Sequence, residues 1–416
     1  MKTRKAFKLS LLSLAVAGTA VYAADTYEIG HTGSSAYYSL NGDLKGSVLG
    51  DFDNNADNEK KELVNQSNNT VNVDLGGDTF QGSIYGGDVL GYIQNGNSYT
   101  YTSSEKNTVT VNGGKVSNNI YGGYATYAAA SNNTVKIEDS SADWVYGGYT
   151  TGRHTVGNST VFGNANNNKV IVNNANSGSF YITGGYSRYG QANNNSVTVT
   201  NSKTGKIYGG DGPADTSNNT VTVTNSSTGS IYGADGNGGT IANNKVTVTN
   251  SSTGTIYGAY ADYSSTLSNN TVTITDSKTS SVIGAYAYDS GSGSKNSVVI
   301  KGNSSVGDVY GTTASYGATE SSVSIEGNSH ASGVYGGSST GDATGNTVTI
   351  SSQYAANGST DAANGKYTIG DDVYGAYSNN SGATGNNTVT FTGGQTVAGS
   401  IYGGNTTLTG NTLTWV

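Results

Sequence analysis

The chain alternates. From Thr220 to Thr224 it reads Thr-Val-Thr-Val-Thr, and variants of this phrase return along most of the sequence. A period of two places Val221 and Val223 on one face of a strand and the threonines on the other. β-Branched residues suit such a half-buried pleated surface. Two asparagines, Asn218 and Asn219, precede the strand. Asn is a turn residue, and stacked copies of its amide can hydrogen-bond from one repeat to the next. A second phrase follows each strand. In Ile231-Tyr232-Gly233 the Ile is the inward candidate and the Tyr the outward one, and the glycine permits a tight bend.

The first valine of each copy stands at 71, 109, 135, 170, 197, 221, 246, 272, 298, 323, 348 and 389, with Leu413 closing the series. Most steps are 24 to 27 residues, and three, of 38, 35 and 41, carry insertions near 85–106, 147–168 and 351–370. One such unit buries almost nothing alone, so copies must stack, Val on Val inside and Thr on Thr outside. The pattern predicts an all-β solenoid of about 13 coils, rising to a rod of roughly 60 Å.

Composition narrows the picture. Glycine fills 62 of 416 positions, proline one and cysteine none. Leu is absent from 91 to 266, and Gly, Asn, Ser and Thr are poor helix formers, which excludes a helical protein. Charged residues make up only 12%, with a net charge of −8, too little for disorder by self-repulsion. A pI of about 4.8 argues against nucleic acid as a partner.

The first residues read as an export signal. Lys2, Arg4, Lys5 and Lys8 precede an apolar run from Leu9 to Val21, and Val21-Tyr22-Ala23 offers small residues for cleavage. The layout is a signal peptide over 1–23, an acidic N-terminal cap over 24–66 and solenoid repeats over 67–416. Without cysteine, no disulfide staples the exported chain, which suits one that stays unfolded through a second transport step.

Copies such as Gly345-Asn346-Thr347-Val348-Thr349-Ile350 and Asn387-Thr388-Val389-Thr390-Phe391-Thr392-Gly393-Gly394 resemble passenger repeats of bacterial autotransporters. The resemblance covers about 67–416. It implies a single-stranded right-handed parallel β-helix displayed at the cell surface or outside the cell. It also implies an outer-membrane β-barrel translocator, which this chain does not contain.

Chemistry is thinly supplied. His31, His154 and His330 share no motif and are read as solvated loop residues. No serine sits in a nucleophile elbow. Asp371-Asp372, Asp211 with Asp215, and Glu138-Asp139 are local acidic pairs in turns. Arg153 and Arg188 are the only arginines past the leader, leaving few cations for an anionic transition state. No catalytic residue is assigned.

One acidic segment is better organised. Asp51, Asp53, Asn55 and Asp57 stand at alternate positions and Glu62 at the twelfth, near the calcium-loop pattern, although Ala56 replaces its glycine. It is either a calcium site or a solvated acidic linker, and no other cofactor is expected. Tyr is used 31 times. Its rows either stiffen the solenoid by stacking or form an aromatic strip for sugars or a partner. The Thr rows invite comparison with flat ice-binding faces, but Lys136 and Ser324 break their regularity.

Loops on a rigid scaffold concentrate binding residues. The insertions supply Tyr92, Tyr99 and Tyr101, then Arg153 and His154, then Tyr354 and Tyr367. The reading is a surface adhesin or structural stalk, not an enzyme, that meets a host-cell, glycan or neighbouring-cell surface. The alternatives are a polysaccharide lyase or hydrolase on the same fold, and a self-assembling matrix protein whose open solenoid ends are sticky.

Overall fold

The computed structural model describes residues 26–29, 47–49, 67–80, 82–89, 92–95, 98–353, 367–380, 382–393, 395–406 and 409–416. Every regular element among them is a β-strand. The Thr-Val-Thr phrases lie side by side in one long parallel sheet, from Thr26–Ile29 to Thr412–Trp415. Their register is fixed residue on residue: Val197, Val221, Val246 and Val272 oppose one another from coil to coil. The Ile-Tyr-Gly phrases build a second parallel sheet, from Ser47–Leu49 to Ile401–Tyr402. Two smaller parallel sheets occupy the bends. One holds five short strands between Ser227–Thr228 and His330–Ala331, and the other four between Gly239–Ala242 and Gly317–Thr319.

The architecture is therefore a β-solenoid, of about 11 turns rather than the 13 expected from the repeat count. The copy at Leu413 supplies the strand Thr412–Trp415, but no tyrosine strand follows it among the described residues, and Leu413 is 55% exposed.

The core is a thin slab between the two long sheets. The valines from Val71 to Val389 form one buried column, none more than 1% exposed. Facing them are Ile84, Ile120, Val145, Ile182, Ile207, Ile231 and Ile256, each 0% exposed. Each such side chain contributes about 1.5–3 kcal/mol of burial. The threonines of the same strands are half-buried, as the period of two requires.

The paired asparagines divide their labour. The first adopts positive φ, as at Asn218 (60°), Asn243 (58°) and Asn269 (56°), a conformation that Asn tolerates better than most residues. The second is buried and forms a ladder. The Asn219 N–H and Nδ2 both donate to Asn244 Oδ1, at 2.9 and 3.1 Å, and Asn219 Oδ1 accepts the same two bonds from Asn195. Ser321 interrupts the ladder with a shorter side chain. Thr312 fills the gap, with its Oγ1 2.7 Å from Ser321 Oγ and 2.9 Å from Asn296 Nδ2, which donates to it. A parallel serine ladder runs at the next bend, where the N–H groups of Ser202, Ser226 and Ser251 donate to the following serine Oγ at 3.0–3.1 Å. Gly233 sits where a Cβ would collide with the Gly258 carbonyl of the next coil, so the tyrosine strand keeps glycine after its Tyr.

Candidate functional site

Among the described residues the chain leaves the stack twice as an antiparallel hairpin. Tyr92–Asn95 pairs with Ser98–Tyr101, with Tyr92 opposite Tyr101. Arg153–Val156 pairs with Ser159–Phe162, with Arg153 opposite Phe162, and Gly157 takes positive φ (59°) at the turn. The two hairpins meet. Tyr101 Oη lies 2.6 Å from His154 Nδ1, and the His154 ring packs edge-on against Tyr99 at 4.9 Å. Tyr127, just past the strand Asn119–Ala125, adds a third ring 5.8 Å from His154. On the same hairpin the Arg153 guanidinium lies over Tyr189 at 5.2 Å, and Arg188 lies over that ring too at 5.4 Å.

The structure thus gathers Tyr99, Tyr101 and His154 into one aromatic cluster, with Arg153 beside it and Tyr92 joined through the strand pairing. Tyr367 lies elsewhere, 42% exposed, where its carbonyl accepts from His330 Nδ1–H at 3.0 Å. Tyr354 and the calcium candidates Asp51, Asp53, Asn55, Asp57 and Glu62 fall outside the described residues. Among the described residues no three His, Asp or Glu side chains gather as a metal-holding group. The solvated-loop reading needs correction for His154 and His330, while His31 falls outside the described residues. His330 is 2% exposed, because the short strand His330–Ala331 pairs with Ser305–Val306 and turns the ring inward. His154 is half-buried under the first hairpin.

Beside the cluster runs the outer face of the tyrosine sheet, with rings in two rows. The first holds stacks such as Tyr85–Tyr121 (4.8 Å), Tyr208–Tyr232 (4.8 Å) and Tyr310–Tyr335 (4.5 Å). The second, three residues on, holds Tyr124–Tyr149 (5.3 Å) and Tyr149–Tyr186 (4.8 Å). The rows touch edge to face, as in Tyr146–Tyr149 at 4.7 Å. Such geometries suit the ring quadrupole. Burial within the rows pushes the phenols up, Tyr149 and Tyr232 to about 12. Trp144 and Tyr181 widen the face, their rings 4.5 Å apart.

The second row changes chemistry in its middle. Asp211 follows Tyr186, Asp235 follows Asp211, and Tyr260 resumes the row. The carboxyl groups stand on adjacent coils among rings. Burial raises Asp211 to about 7. Asp235 rises to about 8, first through burial, then through the nearby charges of Asp211 and Asp262, against a weaker opposing effect of Lys206. Tyr260 donates to Asp262 Oδ1 at 2.6 Å at the same edge.

Sequence reasoning paired Asp211 with Asp215 and missed its partner one coil on. The signal lay in the repeat, because Gly209-Gly210-Asp211 and Gly233-Ala234-Asp235 place Asp where other copies, such as Gly122-Gly123-Tyr124, place Tyr. Tyr127 and Tyr189 were also missed, though each stands two residues past a tyrosine strand. Comparison with known proteins gives no matching family model, curated protein or solved structure.

Proposed function

We propose that this β-solenoid is an exported surface protein of the autotransporter-passenger type, acting as an adhesin or stalk. Its contact region is the tyrosine face where the two hairpins converge. The observation that carries the reading is the His154–Tyr101 junction, which joins two separate insertions beside stacked rings of the tyrosine sheet. The regular coils resemble one another too closely to give specificity, while the hairpins differ and stand on a rigid support. Rings in this arrangement offer flat apolar surface with hydroxyls at the rim, the chemistry of a glycan or protein contact. Replacing 92–101 and 153–162 with short Gly-Ser turns tests the reading, scored by adhesion of cells to the immobilised protein. Adhesion is expected to drop with β-content unchanged. Full adhesion after both replacements would move the contact to the regular Tyr or Thr rows.

A second reading, glycan cleavage, is favoured by one observation. Asp211 and Asp235 are neighbouring carboxyl groups in a ring-lined face, and both have raised pKa values. Adjacent rungs are about 4.7–4.9 Å apart, near the spacing of a retaining glycosidase pair. Release of reducing sugar from polysaccharides, abolished in Asp235→Asn, would support it. No release by the intact protein across a polysaccharide panel would count against it.

A further inference from the structure

We propose that Arg153, Arg188 and Tyr189 bind the acid group of an anionic saccharide, whose ring lies on the adjacent tyrosines. This rests on the surface-contact reading above and names its ligand class.

Arginine is scarce here. Past the leader the chain has only Arg153 and Arg188. They come from different places, one on the second hairpin and one just after the strand Tyr181–Ser187, yet both guanidinium groups lie over the Tyr189 ring. The backbone anchors the second, since the Arg188 N–H donates to Thr150 O at 3.0 Å. Both side chains are exposed. Among the described residues neither makes an ion pair, and the ion pair found there, Lys295 with Glu320, lies on later coils. The nearest acid, Asp211, is raised to about 7 by burial, so much of it is uncharged at neutral pH.

Two like charges over one ring repel each other, and the ring quadrupole offsets only part of that repulsion. An anion lying between them removes it and accepts from two planar forks of N–H donors. In a chain of net charge −8, such a site selects against the protein's own prevailing charge. The neighbours specify more than an anion. The Tyr149 and Tyr186 rings stack at 4.8 Å, and their phenols feel the charge of Arg188 and, with opposite sign, that of Asp211. Stacked rings beside an acid-binding fork fit a sugar carrying a carboxylate or a sulfate.

Calorimetry on the full chain tests this with oligosaccharides of equal length: an oligouronate, its methyl ester and a sulfated neutral oligosaccharide, with sodium acetate and sodium sulfate as small-ion controls. At least one acidic oligosaccharide is expected to bind, with the ester about tenfold weaker or more. Whichever acid binds tighter identifies the acid group. Arg153→Gln with Arg188→Gln should lose about tenfold or more, while the double Lys variant, keeping charge without the fork, should fall between. Unchanged thermal unfolding confirms that these exposed substitutions leave the fold intact. The proposal is overturned if neither acid binds, if the ester binds equally, if the Gln pair loses nothing, or if the small ions bind as tightly as the sugars. Cell adhesion separates the two readings. Adhesion that needs the hairpins but ignores the Gln pair refutes the ligand class alone, and adhesion indifferent to the hairpins refutes the contact region.

Discussion

Two stretches of this solenoid share one coil and differ in what they carry. From 195 to 339 the chain steps by 24 to 26 residues and the bend after each tyrosine strand carries no hairpin. Tyr263, Tyr288 and Tyr316 stand there 61%, 65% and 67% exposed. From 98 to 190 the same bend carries Tyr127 and Tyr189, both half-buried, one against His154 and the other beneath two arginines. The backbone scaffold of the two stretches is alike: the valine column and both long sheets run through both, as does the asparagine ladder apart from its break at Ser321. The coil therefore supplies position, and the hairpins supply chemical content. Stability should be concentrated in the ladder and core, and recognition in the insertions.

The largest expected effect breaks the scaffold. Val223→Asp puts an unpaired charge into the thin core between the two long sheets and should cost about 4–5 kcal/mol or more. Thr222→Asp, on the half-buried outer face, should cost under about 1 kcal/mol. Urea unfolding of both variants checks the contrast, and equal losses would mean that the in/out phase is reversed.

Next is the ladder. Asn219→Ala removes the acceptor for both Asn195 donors and should destabilise by about 1–3 kcal/mol. A loss below a few tenths would leave the ladder without energetic weight.

The acidic pair gives a pH signature within the scaffold. Asp211 and Asp235 hold their protons in the fold up to about 7 and about 8, against an ordinary value of 3.8. Between those limits the unfolded chain binds fewer protons than the folded one, so stability falls as pH rises from about 4 to about 8, then levels. Thermal unfolding of Asp211→Asn with Asp235→Asn should show a flatter profile over that window. The smallest effect is expected from the hairpins. Replacing 92–101 and 153–162 should leave the unfolding midpoint nearly unchanged, because both pair outside the long sheets.

The fold was legible because the repeat writes the same strand many times. Val221 and Val223 in phase with Thr220, Thr222 and Thr224 suffice to orient the coil, and the asparagine pairs mark its bend. The site was only half legible. The insertions were visible as long steps, and Tyr99, Tyr101, Arg153 and His154 could be named from them. Their meeting could not, because the Tyr101–His154 contact joins residues 53 apart whose hairpins lean together only once the coils are stacked. Asp235 escaped because its neighbour in space is Asp211, one full coil away in sequence.

The most direct test of the central claim, that contact belongs to the hairpin-bearing face, uses the tyrosines as reporters. Hydroxyl-radical labelling of the protein, free and bound to a target cell surface, reads the protection of each ring. Protection is expected on Tyr99, Tyr101, Tyr127 and Tyr189, while Tyr263, Tyr288 and Tyr316 label as in the free protein. Protection of those last three, with the hairpin cluster unchanged, would contradict it.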